Sequence, residues 1–265
     1  MRNLFQSHWK VVLALILLIL AAVLTLRPNA ADAAPDLAQR MRRHVQAVAS
    51  VGDIETELKR AGYAPSRQEY TSGAQRVRNI EAAVRNVAAG RRPDRLFIVG
   101  AHYDSAPGAA GANDNGSGTA AVLELARLLK TMRPRAGTEV RFVFFVNLPP
   151  GLEERPGAGN FIAFAGTRAS SALVRDALAA FRAASDFPAQ GLAAPAHTTG
   201  VTLSDHSSYK RHGYPALMIT DTAFMRYPYY HTAEDTPDKR DDERMARVVA
   251  GLAKTIVALA GAAEG

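Results

Sequence analysis

Short apolar runs alternate with stretches of helical periodicity along this chain, and this alternation restricts the fold more than any other feature of the sequence. The apolar runs have the length of strands: Leu96 to Gly100, Val140 to Val146, Phe161 to Phe164 and Ala216 to Thr220. Helical spacing occurs in the segments between and around them: Asp36 to Leu58, Thr119 to Thr131, Ser170 to Ala184 and Asp241 to Ala260. Such alternation is typical of α/β domains. The sequence therefore predicts a three-layer α/β/α domain with a mostly parallel central sheet.

The run Leu96 to Gly100 contains no polar side chain, which is typical of a strand buried on both faces. We therefore expect it at the centre of the sheet. His102 and Asp104 follow the end of this predicted strand. Asp114 lies in a Gly-, Ala- and Asn-rich segment, Ala106 to Gly118, which predicts a loop before the next helix. Ligands of open α/β sheets bind at the carboxyl ends of strands, so we expect a site here.

The chain has no cysteine, and this narrows the possible chemistry. Its 265 residues are 48% hydrophobic and 22% charged, which is ordinary for one globular domain. Disulfides, thiolate nucleophiles and thiolate metal ligands are excluded, so chemistry must come from carboxylates, imidazoles and hydroxyls. The formal net charge is +7. Arg42-Arg43 and Arg91-Arg92 lie among mixed charges without interleaved aromatics, which predicts a solvated surface rather than a nucleic-acid site.

The N-terminal residues have the pattern expected of an export signal. Val11 to Leu26 is apolar apart from Thr25, and Arg2 and Lys10 precede it. Positive charge before an apolar run favours export, either as a cleaved signal or as a retained membrane anchor. We expect residues 1–33 to be this signal or anchor and residues 34–265 to form the functional domain. The domain would then be membrane-anchored and face the periplasm or the extracellular side, or be secreted.

Three polar clusters contain the residue types that zinc prefers. They are His102-Tyr103-Asp104, Asn113 to Gly118, and Tyr230-His231-Thr232 with Asp235-Thr236. Zinc binds imidazole nitrogen and carboxylate oxygen, and one carboxylate can bridge two ions for hydrolysis. His102, Asp114 and His231 are of the right types. The middle cluster lacks the lysine of a phosphate-binding loop and the glycine spacing of a nucleophile elbow.

These clusters together resemble the co-catalytic zinc aminopeptidases of peptidase family M28, which also contains glutaminyl cyclases. The resemblance runs from about Met41 to Ala260, and its further segments are Ser204-Asp205-His206 and Gly213 to Ala216. It implies a zinc-exopeptidase fold, a peptide substrate and two zinc ions. His102 would bind one ion, His231 the other, and Asp114 both.

The resemblance also implies roles for three neighbouring side chains. Asp104 would orient His102 through its second ring nitrogen. Tyr230 would donate a hydrogen bond to the developing oxyanion. Asp205 would be an acid behind the ligands or beside the substrate.

One segment of the family pattern is absent. In the family, two glutamates follow the position of Asn147, the first as general base and the second as zinc ligand, but this chain has Leu148-Pro149. A later strand with an acidic ligand is also missing, and the simplest interpretation is an internal deletion. Glu153 as catalytic base and Glu154 as metal ligand are the nearest replacements.

Four interpretations follow from this pattern. The first is a zinc aminopeptidase that removes N-terminal residues from peptides, impaired by the deletion. The second is an inactive relative that binds peptides or a partner. The third is a glutaminyl-cyclase-like transferase, and the fourth is a truncated product that does not fold well.

Overall fold

The computed structural model describes residues 30–47, 51–72, 75–146, 161–198 and 200–262. Its α-helices are α1 (Ala30–Ala47), α2 (Val51–Arg60), α3 (Gly118–Leu128), α4 (Ser171–Ala184), α5 (His206–Arg211), α6 (Ala223–Arg226) and α7 (Asp242–Ala260). Its strands are β1 (Ser66–Ser72), β2 (Gln75–Asn86), β3 (Arg95–His102), β4 (Thr138–Phe145), β5 (Ile162–Thr167), β6 (Ala189–Ala194) and β7 (Leu217–Thr220). Strands and helices alternate as predicted, so the α/β class is confirmed.

Strand pairing is mixed rather than mostly parallel. The described strands form one sheet in the order β1-β2-β4-β3 and a second in the order β6-β5-β7. The pairs β3–β4 and β5–β6 are parallel, whereas β1–β2, β2–β4 and β5–β7 are antiparallel. Only two residues separate β1 from β2, and so short a connection joins antiparallel strands. The prediction of a mostly parallel sheet is therefore wrong for this part of the chain.

Among the described strands β3 lies at a sheet edge, and it is not the buried central strand that its composition predicts. Within the described residues it pairs with β4 alone. Leu96 is 44% exposed and Ile98 is 36% exposed, while Ala101 is buried. An apolar run indicates that the side chains of a strand favour burial. Whether a second strand pairs with its other edge depends on distant parts of the chain, which the run does not report.

The core lies between the four-stranded sheet and helices on one of its faces. Phe142 and Phe144 of β4 point into it and are fully buried. The alternate residues of β4, Glu139 and Arg141, lie on the opposite face, where Arg141 bonds Glu139 at 2.6 Å. In the second sheet the ring of Phe164 packs on that of Phe181 in α4, with centroids 5.3 Å apart. Helix α7 packs against both α1 and α4 and so connects the two halves.

The predicted signal or anchor, residues 1–33, lies outside the described residues except that α1 begins at Ala30. Among the helices of the described ranges, none combines the length and apolar character needed to cross a membrane.

Candidate metal centre

The fold brings His102, Asp114 and His231 together. His102 is the last residue of β3, and its carbonyl accepts a hydrogen bond from the Thr119 hydroxyl at 3.0 Å. Asp114 lies in an irregular helical turn, Ala112–Ser117, directly before α3. His231 lies in the loop after α6 with a backbone φ of 57°, a left-handed conformation that is uncommon outside glycine. Three segments far apart in sequence therefore meet at the carboxyl end of β3.

The two imidazoles face different oxygens of one carboxylate. His102 Nε2 lies 3.3 Å from Asp114 Oδ1, and His231 Nε2 lies 2.8 Å from Asp114 Oδ2. Two atoms that bind one tetrahedral zinc lie about 3.3 Å apart, so the first spacing already suits a shared ion. The second is an ordinary hydrogen-bond length. Asp114 is thus placed as a bridging carboxylate requires, with one oxygen for each histidine.

Asp104 lies next to the other ring nitrogen of His102. His102 Nδ1 is 2.9 Å from the carbonyl oxygen of Asp104 and 3.3 Å from its carboxylate. Either contact fixes Nδ1 as the protonated nitrogen, which leaves Nε2 with a free lone pair toward Asp114. The predicted position of Asp104 behind His102 agrees with this geometry, although the main-chain oxygen is the nearer acceptor.

Asp235 holds the two ligand-bearing loops together. It is fully buried and accepts hydrogen bonds from the backbone N–H of Asn113 at 2.8 Å and of Asp114 at 3.0 Å. The Tyr227 hydroxyl donates to the same carboxylate at 2.8 Å. The sequence marked Asp235 as part of a polar cluster but gave no sign of this structural role, because Asn113 and Asp114 lie more than 100 positions away.

Tyr230 stacks on the ring of its neighbour. The rings of Tyr230 and His231 are 3.9 Å apart with an angle of 18° between their planes. This stacking restrains the His231 ring and keeps Tyr230 at the site, where its predicted hydrogen bond to an oxyanion remains a prediction.

The centre is rich in charge. Burial alone would lower the pKa of His102, but hydrogen bonds with Asp104 and Asp114 and the charges of Asp205 and Asp114 raise it to about 10. Burial also opposes ionisation of Asp114, yet its hydrogen bond with His102 and the charges of His102 and His231 keep its pKa below the ordinary value.

His102, Asp114 and His231 are of the residue types that bind zinc, but they are few for two ions. Each ion would receive one imidazole and one oxygen of Asp114, whereas catalytic zinc sites usually have three protein ligands. Across the part of the chain that the structure describes, no group of three or more His, Cys, Asp or Glu has an arrangement that holds a metal. Glu153 and Glu154, the predicted replacements, lie outside that part. The shortage agrees with the missing segment of the sequence pattern.

Comparison with known sequences identifies related proteins. The chain matches Peptidase family M28 at residues 83–177 and 154–256, which together span more than half of its length. It is 31% identical over 209 positions to the uncharacterized protein YfbL of Escherichia coli, covering 59% of this chain and 65% of YfbL. It is 36% identical over 91 positions to aminopeptidase YwaD of Bacillus subtilis, covering 34% of this chain and 17% of YwaD. The chain thus spans less than two thirds of either relative.

The YfbL alignment is longer than the part of this chain that it includes. It runs over 209 positions but includes only 59% of the 265 residues of this chain, so some residues of YfbL have no counterpart here.

Solved structures show the same fold. LapA aminopeptidase of Legionella pneumophila is similar with a TM-score of 0.66 at 17% identity, covering 86% of this chain and 72% of LapA. Glutaminyl cyclase of Fimbriiglobus ruber is similar with a TM-score of 0.59 at 19% identity, covering 83% of this chain and 94% of the cyclase. At such identities the likeness concerns the fold alone.

Proposed function

Since the chain belongs to peptidase family M28, we propose that it is a zinc metallopeptidase of aminopeptidase type, which hydrolyses the N-terminal residue from peptides. The observation that carries the proposal is the placement of His102 and His231 on separate oxygens of Asp114. The names of its relatives add support, since they include an aminopeptidase and a probable zinc metalloprotease. Two imidazoles around one shared carboxylate are the donors expected of a two-zinc hydrolytic site.

His102, Asp114 and His231 would hold the zinc in this proposal. Zinc, when bound, polarises a scissile carbonyl and lowers the pKa of the attacking water. The chain itself contributes orientation: Asp104 fixes the His102 ring, and Asp235 fixes the backbone of Asp114. Tyr230, stacked on His231, would donate a hydrogen bond to the oxygen that gains charge as the carbonyl is attacked. Two ions, one beside each histidine, are the proposed number.

The proposed place of action is outside the cytoplasm. The apolar run Val11 to Leu26 behind Arg2 and Lys10 supports export, with residues 1–33 as signal or anchor. The peptide substrate would then be an external one.

A second candidate function is binding without cleavage. The observation that favours it is the small number of ligands among the described residues, two side chains for each proposed ion. Removing ligands weakens zinc binding, and a site that loses its ion loses the electrophile that hydrolysis needs. Such a protein would bind a peptide beside the same three side chains without cleaving it.

Hydrolysis of aminoacyl 4-nitroanilides by the purified full-length chain, with added zinc, tests the proposal. We expect release of nitroaniline that a chelator abolishes and zinc restores. The His102→Ala variant is expected to lose this release. A glutamine-led peptide assayed in parallel distinguishes the cyclase, which would form a ring and leave the peptide length unchanged. A zinc-loaded chain that binds peptide and releases no amine would instead establish the binding function.

A further inference from the structure

A solvent-open cavity of about 460 Å³ lies on the face of the four-stranded sheet that points away from the core. Its floor comes from β2 and β4, where Ala83 pairs with Arg141 and Arg85 pairs with Glu139. The small side chain of Ala83 leaves room between the three longer ones. A cavity of this volume is large enough for a small molecule.

Two glutamates hold one arginine of the floor in place. Arg141 donates from Nη2 at 2.6 Å and from Nε at 2.9 Å to Glu139 Oε1, and its Nη1 lies 3.3 Å from Glu81 Oε2. Glu139 is buried, and its second oxygen lies 3.6 Å from Arg85 Nε. Both acids of the cavity are therefore engaged by arginines of the floor.

Arg91 and Arg92 lie at the rim of the cavity, in the loop between β2 and β3. Both residues line the cavity and are exposed. The loop is fixed where it enters β3, because the backbone N–H groups of Asp94 and Arg95 donate to the carbonyl of Gly137 at 2.8 and 3.1 Å. Within the part of the chain that the structure describes, no carboxylate forms an ion pair with Arg91 or Arg92. Their guanidinium groups are therefore free to bind an anion from solution.

The cavity carries an excess of positive charge. Four arginines and two glutamates line it, which leaves two positive charges without a counter-charge. Like charges that share a small space repel each other, and a bound anion removes this repulsion. A phosphate group matches the excess, since it carries about two negative charges near neutral pH and offers three acceptor oxygens. A single carboxylate carries only half of this charge.

The cavity is separate from the candidate metal centre. That centre lies at the carboxyl end of β3, where His102 pairs with Phe145 of β4. Glu139 lies about 20 Å before Phe145 along the same strand, at about 3.3 Å for each residue. A small molecule in the cavity would therefore not contact the metal ligands.

We infer that this cavity binds a phosphate group, held by the guanidinium groups of Arg85, Arg91 and Arg92. A guanidinium group donates two parallel N–H bonds to phosphate oxygens, a geometry that an ammonium group does not offer. Two sources present this chemistry: a soluble phosphate compound and a phospholipid headgroup with a terminal phosphate monoester. The inference does not rest on the proposed peptidase activity.

Isothermal titration calorimetry of the purified full-length chain with inorganic phosphate tests the inference. We expect saturable binding with a dissociation constant of about 1 mM or lower. In Arg91→Gln/Arg92→Gln the affinity is expected to fall at least about tenfold, because two charged donors are lost. The matched control is Arg43→Gln/Arg133→Gln, which removes the same charge from exposed positions outside the cavity and is expected to bind like the wild type.

A second pair of variants separates the cavity from its surroundings. Ala83→Leu keeps every arginine but fills the floor, so we expect its phosphate affinity to fall at least about tenfold as well. Asp114→Ala changes the metal centre and is expected to bind phosphate like the wild type. Thermal unfolding of each variant shows whether it is folded, and the Arg91→Gln/Arg92→Gln result decides if Ala83→Leu is not.

Cosedimentation with phosphatidylcholine vesicles that contain phosphatidic acid identifies the source of the phosphate. Binding of inorganic phosphate supports a soluble ligand, whereas binding to these vesicles alone, lost in Arg91→Gln/Arg92→Gln, supports a lipid one. An affinity that this double variant leaves unchanged overturns the inference. Loss of binding in Asp114→Ala overturns it too, since the phosphate would then lie at the metal centre. A wild type that binds neither phosphate nor vesicles also overturns it.

Discussion

Glu124 is the most constrained acid outside the metal centre. Its fully buried carboxylate in α3 accepts hydrogen bonds from Arg127 Nε at 2.8 Å, His44 Nε2 at 2.9 Å and Arg40 Nε at 3.2 Å. Arg40 and His44 belong to α1, so this one side chain fixes α1 to the helix that follows Asp114. Burial alone would raise the pKa of Glu124, but these hydrogen bonds lower it to about 2.

At the residue scale we predict that Glu124→Gln lowers the free energy of unfolding by about 3–5 kcal/mol, because it removes the charge of a fully buried carboxylate that pairs with Arg40 and Arg127. Denaturant unfolding at pH 7 measures this loss. The matched control is Glu69→Gln, whose exposed pair with Arg76 is worth at most about 1 kcal/mol. Equal stability of the two variants would contradict the buried network.

The same carboxylate predicts a pH dependence. Its pKa in the folded protein, about 2, lies below the ordinary value of 4.5, so its contribution is complete above pH 4.5 and is lost as the pH falls toward 2. We expect the stability difference between wild type and Glu124→Gln to shrink over that interval. The unfolding midpoints of both proteins, measured at a series of pH values between 2 and 5, test this prediction. A stability difference that stays constant over this range would show that these contacts do not lower the pKa of Glu124.

At the scale of single elements, β3 departs most from expectation. Its apolar sequence predicts a central strand, and the structure places it at an edge with Leu96 and Ile98 exposed. Natural edge strands usually carry charges, prolines or bulges that prevent pairing with another chain, yet β3 has only Arg95 at its start.

We therefore predict that the protein self-associates through β3. Sedimentation velocity should show an average mass that rises with concentration, and Ile98→Lys should reduce the rise because it places charge on the free edge. Leu128→Lys, at an exposed apolar position of α3, controls for lost hydrophobic surface away from a strand. A wild type that stays monomeric at every concentration would contradict the prediction.

Local sequence patterns predicted most elements but not all of them. The strands β4 and β7 and the helices α4 and α7 agree with apolar runs or helical spacing. By contrast, β6 is rich in Ala and Gly, and α5 has the polar sequence His206–Arg211, so neither has a periodicity that marks it. The position of Asp235 depends on contacts between distant segments, and no local pattern reports such contacts.

At the scale of the whole molecule, the chain retains the fold of its family with part of the pattern absent. Among the described residues the strands form two sheets that share no pairing, and some residues of YfbL within the alignment have no counterpart here. Nevertheless, the segments on either side still bring His102, Asp114 and His231 to one place. Family membership and fold therefore persist, while the described part of the chain supplies few candidate metal ligands.

The zinc content of the purified full-length chain, determined by elemental analysis beside the Asp114→Ala variant, tests the central claim most directly. Asp114 contacts both histidines, so its removal takes away the one side chain that each proposed ion shares. The account predicts bound zinc in the wild type and its loss in Asp114→Ala, with both proteins unfolding cooperatively. A folded wild type without zinc, or a variant that retains the wild-type zinc content, would contradict it.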